Sequence, residues 1–82
     1  METIKKFYRV ERKEISFLRF IFEAYDGVAV LTTLDARAGI VVLRIAPSRQ
    51  AEADMIIQDL KKEILIEELG WWYDGFQEKT ER

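Results

Sequence analysis

The stretch that decides the fold is Gly27-Val28-Ala29-Val30-Leu31-Thr32-Thr33-Leu34, then Asp35-Ala36-Arg37-Ala38-Gly39, then Ile40-Val41-Val42-Leu43-Arg44-Ile45-Ala46. Two runs rich in β-branched residues flank a five-residue connection that opens on aspartate and closes on glycine. Such runs favour a pleated backbone. Asp35 can accept hydrogen bonds from the amides ahead of it, and Gly39 can take a positive φ at a bulge. Residues 28–34 and 40–46 are therefore expected to form an antiparallel hairpin.

Upstream, residues 3–10 alternate loosely and read as a strand, with Ile4, Lys6, Tyr8 and Val10 on one face and Lys5, Phe7 and Arg9 on the other. Over residues 14–25 the spacing becomes helical. Ser16, Arg19 and Glu23 fall within about 60° on a helical wheel, and nearly all the rest is apolar. A surface helix ordinarily shows a broader polar arc, so this one is expected to be covered on more than one side. Asp26-Gly27 ends it, with Gly27 suited to the left-handed position just past a helix.

Downstream, Pro47-Ser48 stops the second hairpin arm, and Ser48 is expected to cap a second helix. In that helix Ala53, Ile56, Ile57 and Leu60 make one stripe, extended by Ile64, with Glu52, Asp59 and Lys62 outside it. From Ile64 the pattern weakens, because Glu67 and Glu68 fall where apolar residues are due. Two readings stand: a short last strand at 64–66, or a helix running to Leu69 and stopped by Gly70. The order β-α-β-β-α-(β) predicts an α+β, ferredoxin-like sandwich with an antiparallel sheet and both helices on one face. The 82 residues have room for one domain, placed at 1–70. Residues 71–82 form a tail that is aromatic and then polar. Its Trp71, Trp72, Tyr73 and Phe76 are expected to dock on this domain or on another copy.

The composition removes whole classes of chemistry. There is no cysteine and no histidine, hence no disulfide, thiol nucleophile, imidazole base or conventional zinc site. The glycines stand at 27, 39, 70 and 75, too far apart for a dinucleotide fingerprint or a phosphate-cradling loop. No catalytic residue, cofactor or metal is assigned. Glu23 and Asp26, spaced i and i+3, could bind magnesium, but a solvated stripe ending in a cap ranks ahead. The longest uncharged run, 27–34, is far short of the roughly 20 apolar residues of a membrane span. Lys5, Lys6 and Arg9 interrupt the first apolar stretches, so a secretory leader is not expected and a cytoplasmic location is.

The net charge of −2 hides an asymmetry: residues 1–19 carry six basic and three acidic side chains, residues 51–82 four basic and nine acidic. Complementary surfaces of one fold, or of two copies, are the first reading; a nucleic-acid face is the second. The run Lys5-Lys6-Phe7-Tyr8-Arg9 carries that second reading. With Arg44, the side chains of Lys5, Phe7 and Arg9 make a candidate site for a small ligand or single-stranded nucleic acid. The strand at 40–45 lacks the aromatics of the RNA-recognition pattern, so lysines protecting an edge strand rank ahead.

Both faces of the sheet read as apolar. Val41, Leu43 and Ile45 oppose Ile40, Val42 and Arg44; Val28, Val30 and Leu34 oppose Ala29 and Leu31; Ile64 and Ile66 oppose Leu65. Antiparallel sheets with one wet face alternate more cleanly. A homodimer is expected, with Phe7, Ile40, Val42, Trp71, Trp72 and Tyr73 at the interface. The alternative cover is the aromatic tail folded back over its own sheet. The leading functional expectation is a non-enzymatic interaction or regulatory domain that self-associates.

The run Glu23-Ala24-Tyr25-Asp26-Gly27-Val28-Ala29-Val30, followed by Thr33-Leu34-Asp35 and Gly39, resembles a family of small bacterial domain proteins of unknown function. The likeness covers roughly residues 5–65 and implies neither an activity nor a catalytic residue. More distantly, the layout resembles the ACT-type regulatory domains, which pair through sheets or helices and bind effectors at their interfaces. That resemblance implies a small-molecule effector; Glu11-Arg12-Lys13-Glu14 stands where those domains carry an Asp-x-x-Gly turn.

Overall fold

The computed structural model describes residues 4–70, ordered β1 (Ile4–Val10), α1 (Ile15–Ala24), β2 (Ala29–Asp35), β3 (Ile40–Ile45), α2 (Gln50–Leu60) and β4 (Ile66–Gly70). The hairpin forms as its connection dictates. Asp35 Oδ1 accepts hydrogen bonds from the backbone N–H groups of Arg37 and Ala38, both at 3.1 Å, and Gly39 turns the chain at φ 76°. A register shift between Thr33 and Asp35 leaves Leu34 as the extra residue of a bulge. Gly39 also anchors the hairpin to the rest of the sheet, because its carbonyl accepts the Val10 N–H at 2.9 Å. A Cβ at Gly39 would lie 1.9 Å from the Val10 carbonyl oxygen, so the site requires glycine for conformation and for space.

The four strands form one antiparallel sheet in the order β2-β3-β1-β4. Each helix joins two strands that flank a third: α1 leads from β1 to β2 around β3, and α2 leads from β3 to β4 around β1. This pair of split β-α-β units is the ferredoxin-like arrangement. Tyr8, Val10, Leu31, Val41, Leu43, Ile45 and Ile66 pack from the sheet against Ile15, Leu18 and Phe22 of α1 and Ala53, Ile57 and Leu60 of α2. Both helices thus share one face. No charged side chain is buried among the described residues.

Several local expectations are corrected. Ser48 does not cap α2: Pro47 starts a 3-10 turn, Pro47–Arg49, the Arg49 N–H bonds to the Ala46 carbonyl at 2.8 Å, and Arg49 occupies the cap position without a side-chain bond. The last element is a strand, but it begins at Ile66 and runs through both glutamates to Gly70. Residues 61–64 are taken up by a turn in which the Ile64 N–H bonds to the Leu60 carbonyl at 2.9 Å. Val28 does not share a face with Val30. It sits in the turn before β2, its carbonyl accepting the Ala46 N–H at 3.1 Å, and is 1% exposed, whereas Val30 is 64% exposed.

Among the described residues, Tyr8 is the one ionisable group held well inside the core. Burial, and then the nearby carboxylates of Glu68 and Asp54, push its phenol above the usual value of about 10. Folding therefore favours the protonated phenol. Its contribution is fully present below about pH 10 and is lost as pH rises toward the native-state value. In urea unfolding series, the parent chain is expected to lose stability above pH 10 more steeply than Tyr8→Phe. Parallel curves would remove this role of the phenol.

Candidate functional site

Two surfaces compete for a functional role. The first is the open face of the sheet, away from the helices. The β1–β3 register sets Lys5 opposite Arg44, Phe7 opposite Val42 and Arg9 opposite Ile40. The sheet thus brings together all the sequence-predicted site residues that fall within the described part. Trp71, Trp72 and Tyr73 lie outside it.

The arrangement is poorly suited to stacking bases. Phe7 is 4% exposed, leaving no ring face for a base to lie on. Arg9 Nε donates to Glu67 Oε1 at 3.1 Å, which sets a carboxylate within the basic cluster. Arg44 Nη1 donates to Thr32 Oγ1 at 3.4 Å. The charge asymmetry of the sequence is likewise met inside one fold. Lys6 of β1 pairs with Asp54 of α2 at 2.8 Å, and Arg9 pairs with Glu67 of β4. Each of these partly exposed pairs contributes about 1 kcal/mol or less, so their role is to match surfaces more than to stabilise.

The second surface lies on the helical side. α1 buries only the stripe Ile15, Leu18 and Phe22. Arg19 Nη2 donates to Thr33 Oγ1 at 2.9 Å, which turns the narrow polar arc of α1 toward β2. That leaves the flank of Phe17, Phe20 and Ala24 turned away from the sheet, with Phe17 39% and Phe20 67% exposed. The expectation that α1 is covered on a second side therefore does not hold among the described residues.

Beside this flank, α1 and α2 border a cleft of about 250 Å³. It is lined by Ile21, Tyr25, Met55, Ile56 and Leu60, with Glu52 and Asp59 at its rim. Tyr25 and Met55 are 50% and 64% exposed. The cleft falls below the roughly 300 Å³ at which small-molecule sites begin. Both carboxylates are engaged from the turns flanking α2, Glu52 by Arg49 and Asp59 by Lys62 at 3.5 Å. The Arg49 guanidinium holds the Glu52 carboxyl below the usual range through its hydrogen bond. No group of three or more potential metal ligands converges among the described residues, and Glu23 and Asp26 are both exposed.

The missed feature was written in the sequence. The same wheel that shows a narrow polar arc also shows more apolar positions than one sheet contact can cover; only the packing reveals which of them stay outside.

A family model described as "Domain of unknown function (DUF4911)" matches residues 8–64, from the middle of β1 to the turn after α2. The chain belongs to this family. The match covers β2, β3 and both helices, so the exposed flank of α1 and the cleft beside it lie inside the family's span, while all of β4 lies beyond it. No match was found among curated proteins or among solved structures.

Proposed function

We propose that this domain is an interaction module that pairs with a second copy of itself through the outer side of α1. The observation that carries this reading is the exposed flank of Phe17, Phe20 and Ala24, continued across the cleft by Tyr25 and Met55. A contiguous apolar surface of this kind on a small polar-rimmed domain is the mark of a protein contact.

The occupant is argued from charge. Arg12 and Lys13 lie in the turn before α1, between Glu11 and Glu14 and with Lys13 3.8 Å from Glu11; Glu23 and Asp26 lie at the C-terminal end, and all four of Arg12, Lys13, Glu23 and Asp26 are exposed. A lone helix prefers the opposite placement, by about 0.3–1 kcal/mol per charge. An antiparallel second α1 reverses that penalty. With a two-fold axis between Phe20 and Ile21, Phe17 of one copy faces Ala24 of the other. Lys13 and Arg12 then lie two and three residues, about 3–4.5 Å along the axis, from Asp26, with Glu23 about one turn farther on, given a rise of about 1.5 Å per residue. Such an isologous contact uses the same patch twice and closes on itself.

The charge pattern gives the test. Sedimentation velocity should show that Arg12→Glu with Lys13→Glu weakens association at least tenfold, and that adding Glu23→Lys with Asp26→Lys restores it. If the four-fold variant associates no better than the double variant, the antiparallel pairing is wrong.

A further inference from the structure

We propose that the outer edge of β2 accepts an extended segment of a partner protein, added antiparallel as a fifth strand. The segment sets an apolar side chain in the groove between β2 and α1, and a lysine or arginine two residues later against Glu23. Pairing through α1 is not required for it. β2 and β4 are the two edges of the sheet. Edge strands are ordinarily guarded by charge, proline, bulges or shortness. β4 has five residues, with Glu67 and Glu68 among them. β2 has seven; residues 29–34 carry neither charge nor proline, and the bulge lies at the far end, between Thr33 and Asp35. The Val28 carbonyl accepts the Ala46 N–H on the β3 side. In an antiparallel ladder the hydrogen-bonding groups of successive residues point alternately to the two sides. Val30 and Thr32 therefore serve β3, and the N–H and C=O groups of Ala29, Leu31 and Thr33 point outward. No described strand pairs with them.

Along this edge lies a groove of about 210 Å³ between β2 and α1. Phe22 and Leu31, both buried, line it together with Ala29. Its size suits a side chain carried in by a strand and falls short of a small-molecule site. Charge is divided along its length. Arg19 is held by Thr33 at one end. From there α1 runs toward the turn that enters β2 at Ala29, which places Glu23 and Asp26, both exposed, toward the other end. Asp26 lies in the field of the Arg49 guanidinium, so Glu23 is the carboxylate that meets an incoming cation. An antiparallel strand crosses the groove with its later residues toward Ala29. Its cation therefore follows the apolar residue by two positions and shares its face. Backbone hydrogen bonds give such an added strand its affinity, and the alternate side chains give it selectivity.

The probe is the peptide Gly-Ser-Thr-Val-Leu-Val-Lys-Ser-amide, labelled with fluorescein at its N-terminus, titrated with the full chain and read by anisotropy. In the proposed register its leucine lies opposite Leu31 and its lysine opposite Ala29. Saturable binding is expected for the parent and for folded Phe20→Glu alike, since that ring lies on the outer side of α1. Methylating the leucine amide nitrogen of the probe, which faces β2, should abolish binding. Methylating that of the following valine, which faces solvent, should leave it nearly unchanged. Glu23→Lys should weaken the probe by about fivefold, and should bind a probe with glutamate in place of lysine more tightly than the parent does. No binding, indifference to the position of the methyl group, or indifference to Glu23→Lys overturns the proposal. Binding by the parent but not by folded Phe20→Glu would place the probe on the outer side of α1 and overturn it as well.

Discussion

Replacing Gly39 by alanine is expected to remove a large share of the domain's stability. The added methyl would stand 1.9 Å from the Val10 carbonyl oxygen, a backbone atom that cannot rotate away. Relief requires separating the hairpin turn from the end of β1, which sacrifices the Val10–Gly39 hydrogen bond. The left-handed backbone adds about 1–2 kcal/mol for any residue with a Cβ. With the lost hydrogen bond at about 1 kcal/mol and the displacement of β1, the total reaches roughly 3–5 kcal/mol. A domain of this length holds only about 4–12 kcal/mol in all. Gly27 supplies the control. It has a similar φ of 79°, but its nearest neighbour is the mobile tip of Arg49 at 3.4 Å. Gly27→Ala should cost about 1 kcal/mol, the conformational term alone. Equal effects of the two substitutions in thermal unfolding would contradict the close approach at Gly39.

Two phenylalanines on α1 separate stability from association. Phe22 is 2% exposed in the core, whereas Phe20, two residues earlier, is 67% exposed. Phe22→Ala is expected to destabilise by about 3–5 kcal/mol, through lost burial and the cavity left behind. Phe20→Ala should change the stability of the isolated domain by no more than about 0.5 kcal/mol, while weakening self-association. Urea unfolding below the association range reads the first effect, and sedimentation reads the second. A large stability loss from Phe20→Ala in the monomer would mean that this ring belongs to the core.

The parts of this fold that were legible in the sequence are those whose determinants are local. Asp35 and Gly39 carry the hairpin's chemistry within five residues, and both act as that chemistry requires. The α+β order and the placement of both helices on one face follow from two changes of hydrophobic period. The end of β4 was harder, because Glu67 and Glu68 read as interruptions until their partners are known. Those partners are Arg9, 58 residues away, on one side of the strand and Lys61, seven residues away, on the other. The expected cap at Ser48 was displaced by Pro47, which turns the chain before the helix starts.

The candidate surfaces divide in the same way. The strand register could be inferred well enough to place Lys5, Phe7, Arg9, Ile40, Val42 and Arg44 on one face. That Phe7, Ile40 and Val42 are shielded there depends on packing that alternation does not encode. On α1, too many apolar positions for one contact could be counted in advance. That Phe17 and Phe20 are the ones left outside depends on the direction in which Arg19 is drawn by Thr33.

The most direct test of self-pairing through α1 is the solution mass of the full chain by sedimentation equilibrium at micromolar concentration, beside that of Phe20→Glu. The account predicts twice the chain mass of 9.7 kDa for the parent and a single chain mass for the folded variant. A parent that sediments as a single chain, or a Phe20→Glu variant that remains paired, would contradict it.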